Sequence, residues 1–283
     1  MGLIIPKGFG PSWGAFSHNI PSTIGVTLGG TTITASGTTH TKGSVTQVLS
    51  ALPHDVEYII IGFSNGNTSA AEVNILVDLV IDPAGGTSWD TTNPLIPNLL
   101  AGFSPTVAAT TTPTRWYHFP VRIPKGASVG MRSQSNVASR TVIGHIIVYG
   151  QNRHPGSWWS GQRVVDLGTS TATSAGTNHT GGNSSAFGSW TNFGSTLGQD
   201  CGALQLGIQG EDASTISSGY EFQVGVGSNA LFAKWFQTTT AEVGLTAFDS
   251  PHFFALPAGT QLQVRARADG TAQAIDLAIY TVH

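Results

Sequence analysis

The sequence has little charge and almost no cysteine. Asp, Glu, Lys and Arg make up 10% of its 283 residues, and the formal net charge is −3, whereas charged residues usually supply about 25% of a soluble domain. No positive field is available to attract a phosphate backbone, so we expect no nucleic-acid partner. The single cysteine, Cys201, excludes an intrachain disulfide framework and a zinc site built from several cysteines.

Long apolar runs are missing too. No run approaches the roughly 20 residues that span a bilayer. Residues 1–22 lack the basic start, the continuous apolar middle and the small-residue cleavage site of a signal peptide. We therefore expect a soluble protein with no membrane insertion, made in the cytoplasm of the producing cell and not exported by a general secretion signal.

Two parts of the sequence resemble each other. Residues 25–44 align without a gap on residues 164–183 and share the motif Gly-Thr-x-His-Thr-x-Gly. The matches that follow keep the same order in both parts, which close on a short apolar segment containing Tyr149 in one and Tyr280 in the other. A collinear series of matches indicates an internal duplication.

The duplication predicts the domain organisation. We place the first domain at residues 18–150 and the second at residues 161–283. Residues 151–160 form a linker punctuated by proline and glycine. Residues 1–17 stand outside the repeat, and we expect this segment to be an extension that anchors the protein to another component.

Apolar residues recur at period two in both parts. Ile59, Ile61 and Phe63 alternate with less uniform neighbours, whereas clearer alternation with polar or small residues occurs in Leu204–Gln209, Leu262–Arg267 and Ile275–Tyr280. Each such strand has one buried face and one polar face that we expect to meet water. Apolar spacing of three and four is absent, and Gly, Thr, Ser and Asn break the chain at intervals typical of a sandwich or barrel. The sequence predicts an all-β protein of two tandem antiparallel β-sandwich domains, jelly-roll-like in topology.

Two motifs invite a chemical interpretation. Ser64 lies in a Gly-x-Ser-x-Gly sequence after an apolar strand, as in a nucleophile elbow. No amphipathic helix follows it, and the second part has Gln209 in its place, so a hairpin turn is the better account. His40 and His179 occupy matching places in the shared motif, but one histidine per domain does not make a zinc site. We interpret both as turn residues whose side chains bond to nearby backbone.

Carboxylates are few. Glu211 and Asp212 are adjacent, and Asp82 and Asp90 flank a glycine-rich segment. A glycosidase needs two carboxyl groups about 5 to 9 Å apart across a cleft, and neither pair shows that arrangement in sequence. The Asp-x-Asp-x-Asp pattern of a calcium loop is absent. We therefore expect no catalytic residue, no metal and no cofactor, so the protein is not predicted to be an enzyme.

Most of the seven tryptophans stand beside polar or turn residues. An indole face stacks on the C–H face of a sugar ring, and neighbouring polar side chains bond the hydroxyls. The candidate carbohydrate-binding residues are Trp89, Trp116, Tyr117, Trp158, Trp159, Trp190 and Trp235. In the alternative interpretation, Trp89 and Trp235 are equivalent residues that plug the ends of the two sandwiches, since large aromatics are usually buried.

The opening segments, residues 1–10 (MGLIIPKGFG) and 20–29 (IPSTIGVTLG), resemble the start of small virion proteins of tailed bacteriophages and gene transfer agents. The resemblance implies a head-spike, fibre or tail-associated β-sandwich protein at the surface of a virion or phage-like particle. Its partners would be host surface or capsular polysaccharide and, through the N-terminal segment, other virion proteins. Particle proteins usually assemble symmetrically, so we expect a homo-oligomer.

Two other functions stay open. The protein could be a purely structural particle subunit, a spike base or decoration protein, whose aromatics are core or subunit contacts. A polysaccharide-degrading enzyme is the least favoured, because it would need two carboxylates at catalytic separation across a cleft. Exposure of the tryptophans distinguishes glycan binding from a structural role: tryptophans lining an open groove at matched loops favour a glycan, and a broad apolar patch around them favours assembly.

Overall fold

The fold is all-β. The computed structural model describes residues 15–18, 30–66, 73–102, 115–150, 160–183, 186–211, 219–239, 242–243, 251–268 and 274–283. Within these ranges every regular element is a β-strand, as predicted. No helix in them is long and apolar enough to cross a membrane.

Nineteen strands fall into two sets, one in each half of the chain. The first set is β1 (Ala15–His18), β2 (Thr31–Thr34), β3 (Thr46–Leu49), β4 (Val56–Asn65), β5 (Ile75–Asp82), β6 (Ile96–Leu100), β7 (Arg115–Phe119), β8 (Ser128–Ser135) and β9 (Thr141–Gly150). The second set is β10 (Val164–Leu167), β11 (Thr177–Thr180), β12 (Thr191–Asn192), β13 (Cys201–Glu211), β14 (Gly219–Val226), β15 (Asn229–Thr239), β16 (Glu242–Val243), β17 (His252–Leu256), β18 (Leu262–Ala268) and β19 (Ala274–Val282).

Each half contains two antiparallel sheets with the same strand order. In the first half the orders are β1-β9-β4-β7, with β2 also paired to β9, and β3-β8-β5-β6. In the second half they are β10-β19-β13-β17, with β11 also paired to β19, and β12-β18-β14-β15-β16. Apart from the short β16, the two halves correspond strand for strand. With β1, β10 and β16 left aside, each half has two four-stranded sheets whose strand orders are those of a jelly roll. This order confirms the predicted tandem β-sandwich fold.

The strand pairing corrects the alignment of the shared histidine motif. Ile33 of β2 pairs with Val142, and His179 of β11 pairs with Ile275, so these two strands have the same place in their halves. His179 is therefore a strand residue with its side chain almost buried. His40 lies in a turn after β2 with a φ of 56°. The predicted turn position is right for His40 and wrong for His179, because the shared motif falls at two different points of the fold. The predicted bond from the His40 side chain to nearby backbone is wrong, since its Nδ1 atom lies 3.0 Å from Oγ of Ser174 in the second half.

The predicted end of the N-terminal extension, at residue 17, is not where the first-half sheet begins. Ala15 and Ser17, which the sequence places in the extension, pair with Tyr149 and Val148 of β9. The first-half sheet thus starts before residue 18. The linker, residues 151–160, lies outside the described residues except for its last position, and the domain boundaries stay a prediction.

Two hydrophobic cores fill the molecule. The core of the second half lies between its own two sheets and includes Leu206, Phe222 and Val264. The core of the first half lies between β4 and β5 and extends into the second half. The second-half residues in it are Val164, Ala203, Ala278, Tyr280 and Val282. The sheet containing β13 and β19 is therefore buried on both faces.

That double burial overturns the expectation that the polar faces of these strands meet water. Gln205, Gln209 and Tyr280 each have 0% relative exposure. The Gly102 N–H donates to Oε1 of Gln209 at 2.5 Å. Arg115 donates from Nε to the Gly102 carbonyl at 2.8 Å and from Nη1 to the Ile208 carbonyl at 3.0 Å. Gln209 and Arg115 thus satisfy backbone atoms of both halves, and such hydrogen bonds are what allow polar groups to be buried.

Candidate functional site

One outer face of the second-half sandwich carries an unusual set of side chains. Strand β18 alternates strictly, with Leu262, Val264 and Ala266 in the core and Gln263, Arg265 and Arg267 on the opposite face. A strand of period two between a core and solvent produces this alternation, and the sequence pattern predicted it. The outward face of β18 and its neighbours is the candidate site.

Aromatic rings and arginines alternate across this face. The guanidinium carbon of Arg265 lies 4.5 Å from the centre of the Trp190 ring and 4.6 Å from the centre of the Phe187 ring. The guanidinium carbon of Arg267 lies 4.8 Å from the Phe187 centre and 5.4 Å from the Trp235 centre. All four distances are within cation–π range. We refer to the series Trp190, Arg265, Phe187, Arg267 and Trp235 as the ladder.

The backbone before β12 brings two of the rings to the sheet. The N–H groups of Gly182 and Gly188 both lie 2.9 Å from the Ala266 carbonyl, and the Ala268 N–H donates to the Gly182 carbonyl at 3.1 Å. A Cβ at position 182 would collide with the Ala186 carbonyl oxygen and lie 2.6 Å from the Gly188 nitrogen. Glycine at this position lets the chain fold back tightly, and the fold-back places Phe187 against the arginines of β18.

Trp190 is held by a second close approach. A Cβ at Gly225 of β14 would lie 2.7 Å from the indole Cη2 atom. The indole therefore rests directly on the β14 backbone, where any larger residue would displace it. One end of the ladder is thus fixed by packing and only half-buried.

Hydrogen bonds across β14 and β18 orient the arginines. Glu221 lies opposite Arg267 and Gln223 lies opposite Arg265 in the strand register. Glu221 Oε2 accepts from Arg267 Nε at 2.7 Å and lies 2.6 Å from Arg267 Nη2. Gln223 Oε1 accepts from Arg265 Nε at 2.8 Å. The first pair is charge-neutral, whereas the second keeps the full positive charge of Arg265.

Trp235 forms the other end of the ladder and is the most exposed aromatic there. It lies on β15, opposite Glu221 of β14. Its relative exposure is 66%, and it is the one large hydrophobic side chain in the described residues that is this open to solvent. A large ring left open beside fixed polar groups is the kind of surface feature that marks an interaction site.

The predicted candidate residues separate into different places. Trp190 and Trp235 come together in the ladder. Trp89 lies in the loop between β5 and β6, half-buried, with its ring over Gly130. Trp116 lies on β7 of the first half, also half-buried. Trp158 and Trp159 lie outside the described residues.

Tyr117 is a correction. Its relative exposure is 3%, and its hydroxyl donates to the Leu100 carbonyl at 2.6 Å. The ring contacts Phe63, Phe119 and Tyr280 in the core. A ring packed in this way presents no free face to a sugar, so Tyr117 is a core residue. The neighbouring Trp116 differs because successive residues of a strand point to opposite faces.

The alternative prediction, that Trp89 and Trp235 plug the ends of the two sandwiches, is wrong for Trp235, because its side chain is exposed to solvent. Trp89 and Trp235 are also not equivalent, since one lies in a loop and the other in strand β15. The sequence reasoning missed Phe187, Arg265, Arg267 and Glu221 as ladder residues or their partners. The sequence did contain a sign of these contacts. Two arginines stand at alternate positions of one strand, β18, and Phe187 and Trp190 stand three residues apart just before strand β12.

The Gly-x-Ser-x-Gly motif does not form an elbow. Ser64 lies within strand β4 and is fully buried, so the predicted hairpin turn is also wrong. Its Oγ atom is 2.6 Å from Nε2 of His145. Burial lowers the pKa of His145 to about 4, so the imidazole is neutral near pH 7. The pair packs inside the first half, away from the ladder.

Carboxylates and metal ligands add no second site. The Asp82 carboxylate accepts from the N–H groups of Ala84 and Ser88 at 2.9 and 2.8 Å, which fixes the β5–β6 loop. Asp212 lies outside the described residues. In the ranges that the structure does describe, no group of three or more His, Cys, Asp or Glu side chains could hold a metal ion.

The fold and the ladder together define a tandem jelly-roll protein with an exposed aromatic and arginine surface. No family model and no curated protein matches the chain. Among solved structures, the chain is similar to the N-terminal CBM22-1–CBM22-2 tandem domain from Paenibacillus barcinonensis Xyn10C, with 11% sequence identity and a TM-score of 0.20. The match covers 92% of this chain and 99% of that chain. A likeness at this TM-score carries no argument, and the functional case rests on the ladder itself.

Proposed function

We propose that the protein is a non-enzymatic polysaccharide-binding protein and that the ladder is its binding surface. The observation that carries the proposal is the 66% exposure of Trp235, at the end of a row in which rings alternate with arginines. The jelly-roll fold does not choose among functions, because it occurs in both capsid and lectin domains. The side chains on its surface support polysaccharide binding.

The ladder supplies the two contacts that a sugar needs. The open face of an indole offers a flat, polarisable surface for the C–H face of a pyranose ring. Arg265, Arg267 and Gln223 offer hydrogen-bond donors and acceptors for hydroxyl groups. Arg265 and Arg267 are two residues apart on one strand, so their Cα atoms are about 7 Å apart. The series from Trp190 to Trp235 is thus long enough to contact more than one sugar unit.

Three side chains of the ladder are held in place before any ligand arrives. Trp190 rests on Gly225, Arg267 is fixed by Glu221, and Arg265 is fixed by Gln223. Side chains that are already ordered lose little conformational entropy on binding. A weak but preorganised site is suited to a polymer with many repeats.

The proposal extends to the biological setting. We propose that the polysaccharide is a host surface or capsular polymer and that the protein is a spike or fibre on a virion or phage-like particle. This setting is supported by the resemblance of residues 1–10 and 20–29 to such proteins. Many copies on one particle, acting as a homo-oligomer or side by side, convert weak binding into high avidity through effective concentration.

A structural particle subunit is the second candidate. Trp and Arg are also enriched where proteins meet, so an exposed tryptophan between arginines would suit an assembly contact. The fully buried centre of such a contact is depleted of charge, whereas two of the five ladder residues are charged. This difference favours the polysaccharide.

The test replaces Trp235 by alanine. Trp235→Ala is expected to weaken binding to purified capsular polysaccharide at least about tenfold, while the melting temperature stays unchanged because an exposed ring adds little to stability. Binding is measured by calorimetry and by pull-down on hosts with and without capsule. Trp89→Ala, in the other half, is the matched control and retains binding.

Two results would contradict the proposal. Retained polysaccharide binding by Trp235→Ala would remove the ladder from the site. A change in oligomer mass on light scattering, with no polysaccharide binding by the native protein, would assign Trp235 to an assembly contact instead.

A further inference from the structure

The two arginines of the ladder differ in their partners. Arg267 forms a two-point ion pair with Glu221, whose own relative exposure is 7%. Arg265 has the neutral Gln223 as its hydrogen-bond partner. In the part of the chain that the structure describes, no carboxylate pairs with Arg265. The ladder therefore carries one uncompensated positive charge, and that charge belongs to Arg265.

We infer that the polysaccharide bound by the ladder is acidic and that Arg265 binds the carboxylate of a uronic acid unit. The inference rests on the proposed polysaccharide-binding function. It follows from the geometry around one guanidinium group, which is flanked by two rings and bonded along only one edge.

The faces and the edges of that guanidinium have different roles. Trp190 and Phe187 lie 4.5 and 4.6 Å from its carbon atom, and Nε donates to Gln223. The two terminal Nη groups keep their donors. Such a fork matches the two oxygens of a carboxylate, and the resulting charge-assisted bonds are roughly twice as strong as bonds to a neutral hydroxyl.

The surrounding charge makes this a local property of the site. The protein as a whole carries a formal net charge of −3, so no general field gathers polyanions. Glu221 is the nearest acidic group facing the ladder from β14, and its carboxylate is held by Arg267. The positive charge of Arg267 therefore largely cancels the repulsion between Glu221 and an incoming carboxylate.

The adjacent rings add to the selectivity. A guanidinium between two rings loses some of its hydration, which strengthens its attraction for an anion. Trp235 then contacts a sugar ring while Arg265 contacts a carboxylate of the same polymer. The inference thus assigns recognition of the sugar ring to the aromatics and recognition of acidity to Arg265.

The experiment compares polymers that differ in charge alone. Polygalacturonate and alginate are tested beside the same polymers after methyl esterification, with dextran sulfate as a sulfated polymer and dextran as a neutral one. The native protein is expected to bind at least one uronate polymer and to lose about tenfold or more in affinity when its carboxylates are esterified. Affinity is measured by calorimetry at low and high salt.

Three variants assign the effect to its residue. Arg265→Gln is expected to lower affinity for the uronate polymer about tenfold and affinity for the esterified polymer by a much smaller factor, because only bonds to neutral hydroxyls are lost there. Arg265→Lys keeps the positive charge but loses the two-pronged guanidinium. Its affinity for the uronate polymer is therefore expected to lie between those of the native protein and Arg265→Gln. Gln263→Ala, on the same face of β18, is the matched control and binds like the native protein.

The outcomes separate the inference from the function on which it rests. Equal binding of esterified and acidic polymers, or an unchanged Arg265→Gln, overturns the inference while the polysaccharide-binding function stands. Binding to dextran sulfate alone overturns the assignment to a carboxylate. Absence of binding to every polymer and to purified capsule, or an unchanged Trp235→Ala, removes the proposed function and the inference together.

Discussion

The hydroxyl oxygen of Tyr280, in the last strand of the chain, lies 2.8 Å from the backbone nitrogen of Leu100, 180 positions earlier. The Leu100 N–H donates to this oxygen, and the hydroxyl donates in turn to the Asn98 carbonyl at 2.9 Å. One side chain of the second half thus satisfies two backbone groups of strand β6 in the first. Burial raises the pKa of Tyr280 well above its ordinary value, so the hydroxyl keeps its proton and donates.

The first prediction concerns this contact. Tyr280→Phe removes the hydroxyl, so the buried Leu100 N–H loses its acceptor and the Asn98 carbonyl loses its donor. Leaving a buried polar group unsatisfied costs about 1 to 3 kcal/mol, and we expect a loss of this size in the free energy of unfolding. Urea denaturation measures it. A loss near zero would show that the two backbone groups find other partners easily.

The second prediction concerns the two halves. A protease site is inserted between residues 151 and 159, and the purified protein is then cut. We expect the halves to stay together on size-exclusion chromatography, because Tyr280, Val282 and Ala203 complete the core of the first half. Elution as two separate species would contradict the shared core, and it would favour two independent domains.

The third prediction concerns stability against pH. The folded-state pKa of His145 is about 4, below the value near 6.5 of an unfolded chain. The unfolded state therefore binds more protons between these two values. The stability contribution is complete above about pH 6.5 and is lost as the pH falls to about 4, by about 3 kcal/mol in total. Burial lowers the pKa of His179 as well, which acts in the same direction.

The variant His145→Gln tests this dependence. Glutamine can still bond to Ser64 but does not titrate, so the loss of unfolding free energy on acidification is expected to be smaller than in the native protein. His54→Gln, at an exposed position, is the matched histidine replacement with which His145→Gln is compared. An unaltered pH dependence in His145→Gln would show that other groups dominate acid unfolding.

The fourth prediction concerns the fold-back that carries Phe187. Gly182→Ala introduces a Cβ that collides with the Ala186 carbonyl oxygen, so the segment before β12 must shift away from β18. We expect weaker polysaccharide binding, with a stability cost of about 1 to 3 kcal/mol. Gly198→Ala, where a Cβ meets nothing within 4 Å, is the matched control. Full binding by Gly182→Ala would show that Phe187 is not needed.

Sequence patterns predicted a large part of the fold. The period-two alternation in β18 arises because one face of the strand meets solvent and the other is buried. This pattern is local, and it correctly predicted which β18 residues lie in the core. The duplication was also visible in the sequence, as a series of matches in the same order. The equal strand order of the two halves agrees with it. The shared histidine motif misled the alignment, because a seven-residue pattern of matching sequence does not define equivalence. Strand pairing alone defines it.

The candidate site was predicted less completely. Trp190 and Trp235 were found from their polar neighbours, but Tyr117 was wrong, since adjacent residues on a strand share neighbours in sequence while facing opposite ways. The arginines were seen only as outward polar residues. Their proximity to Phe187 and Trp190 depends on a fold-back at Gly182 that composition does not encode.

The sequence by itself determined that this chain is all-β, duplicated and poor in charge, because strand periodicity and repeats are properties of neighbours along the chain. Only the tertiary structure decided which polar faces are wet. Gln205, Gln209 and Tyr280 look like solvent-facing residues in the sequence, yet the first half covers them. The reason is physical: burial is set by what packs against a strand from elsewhere in the chain, and no local pattern records that neighbour.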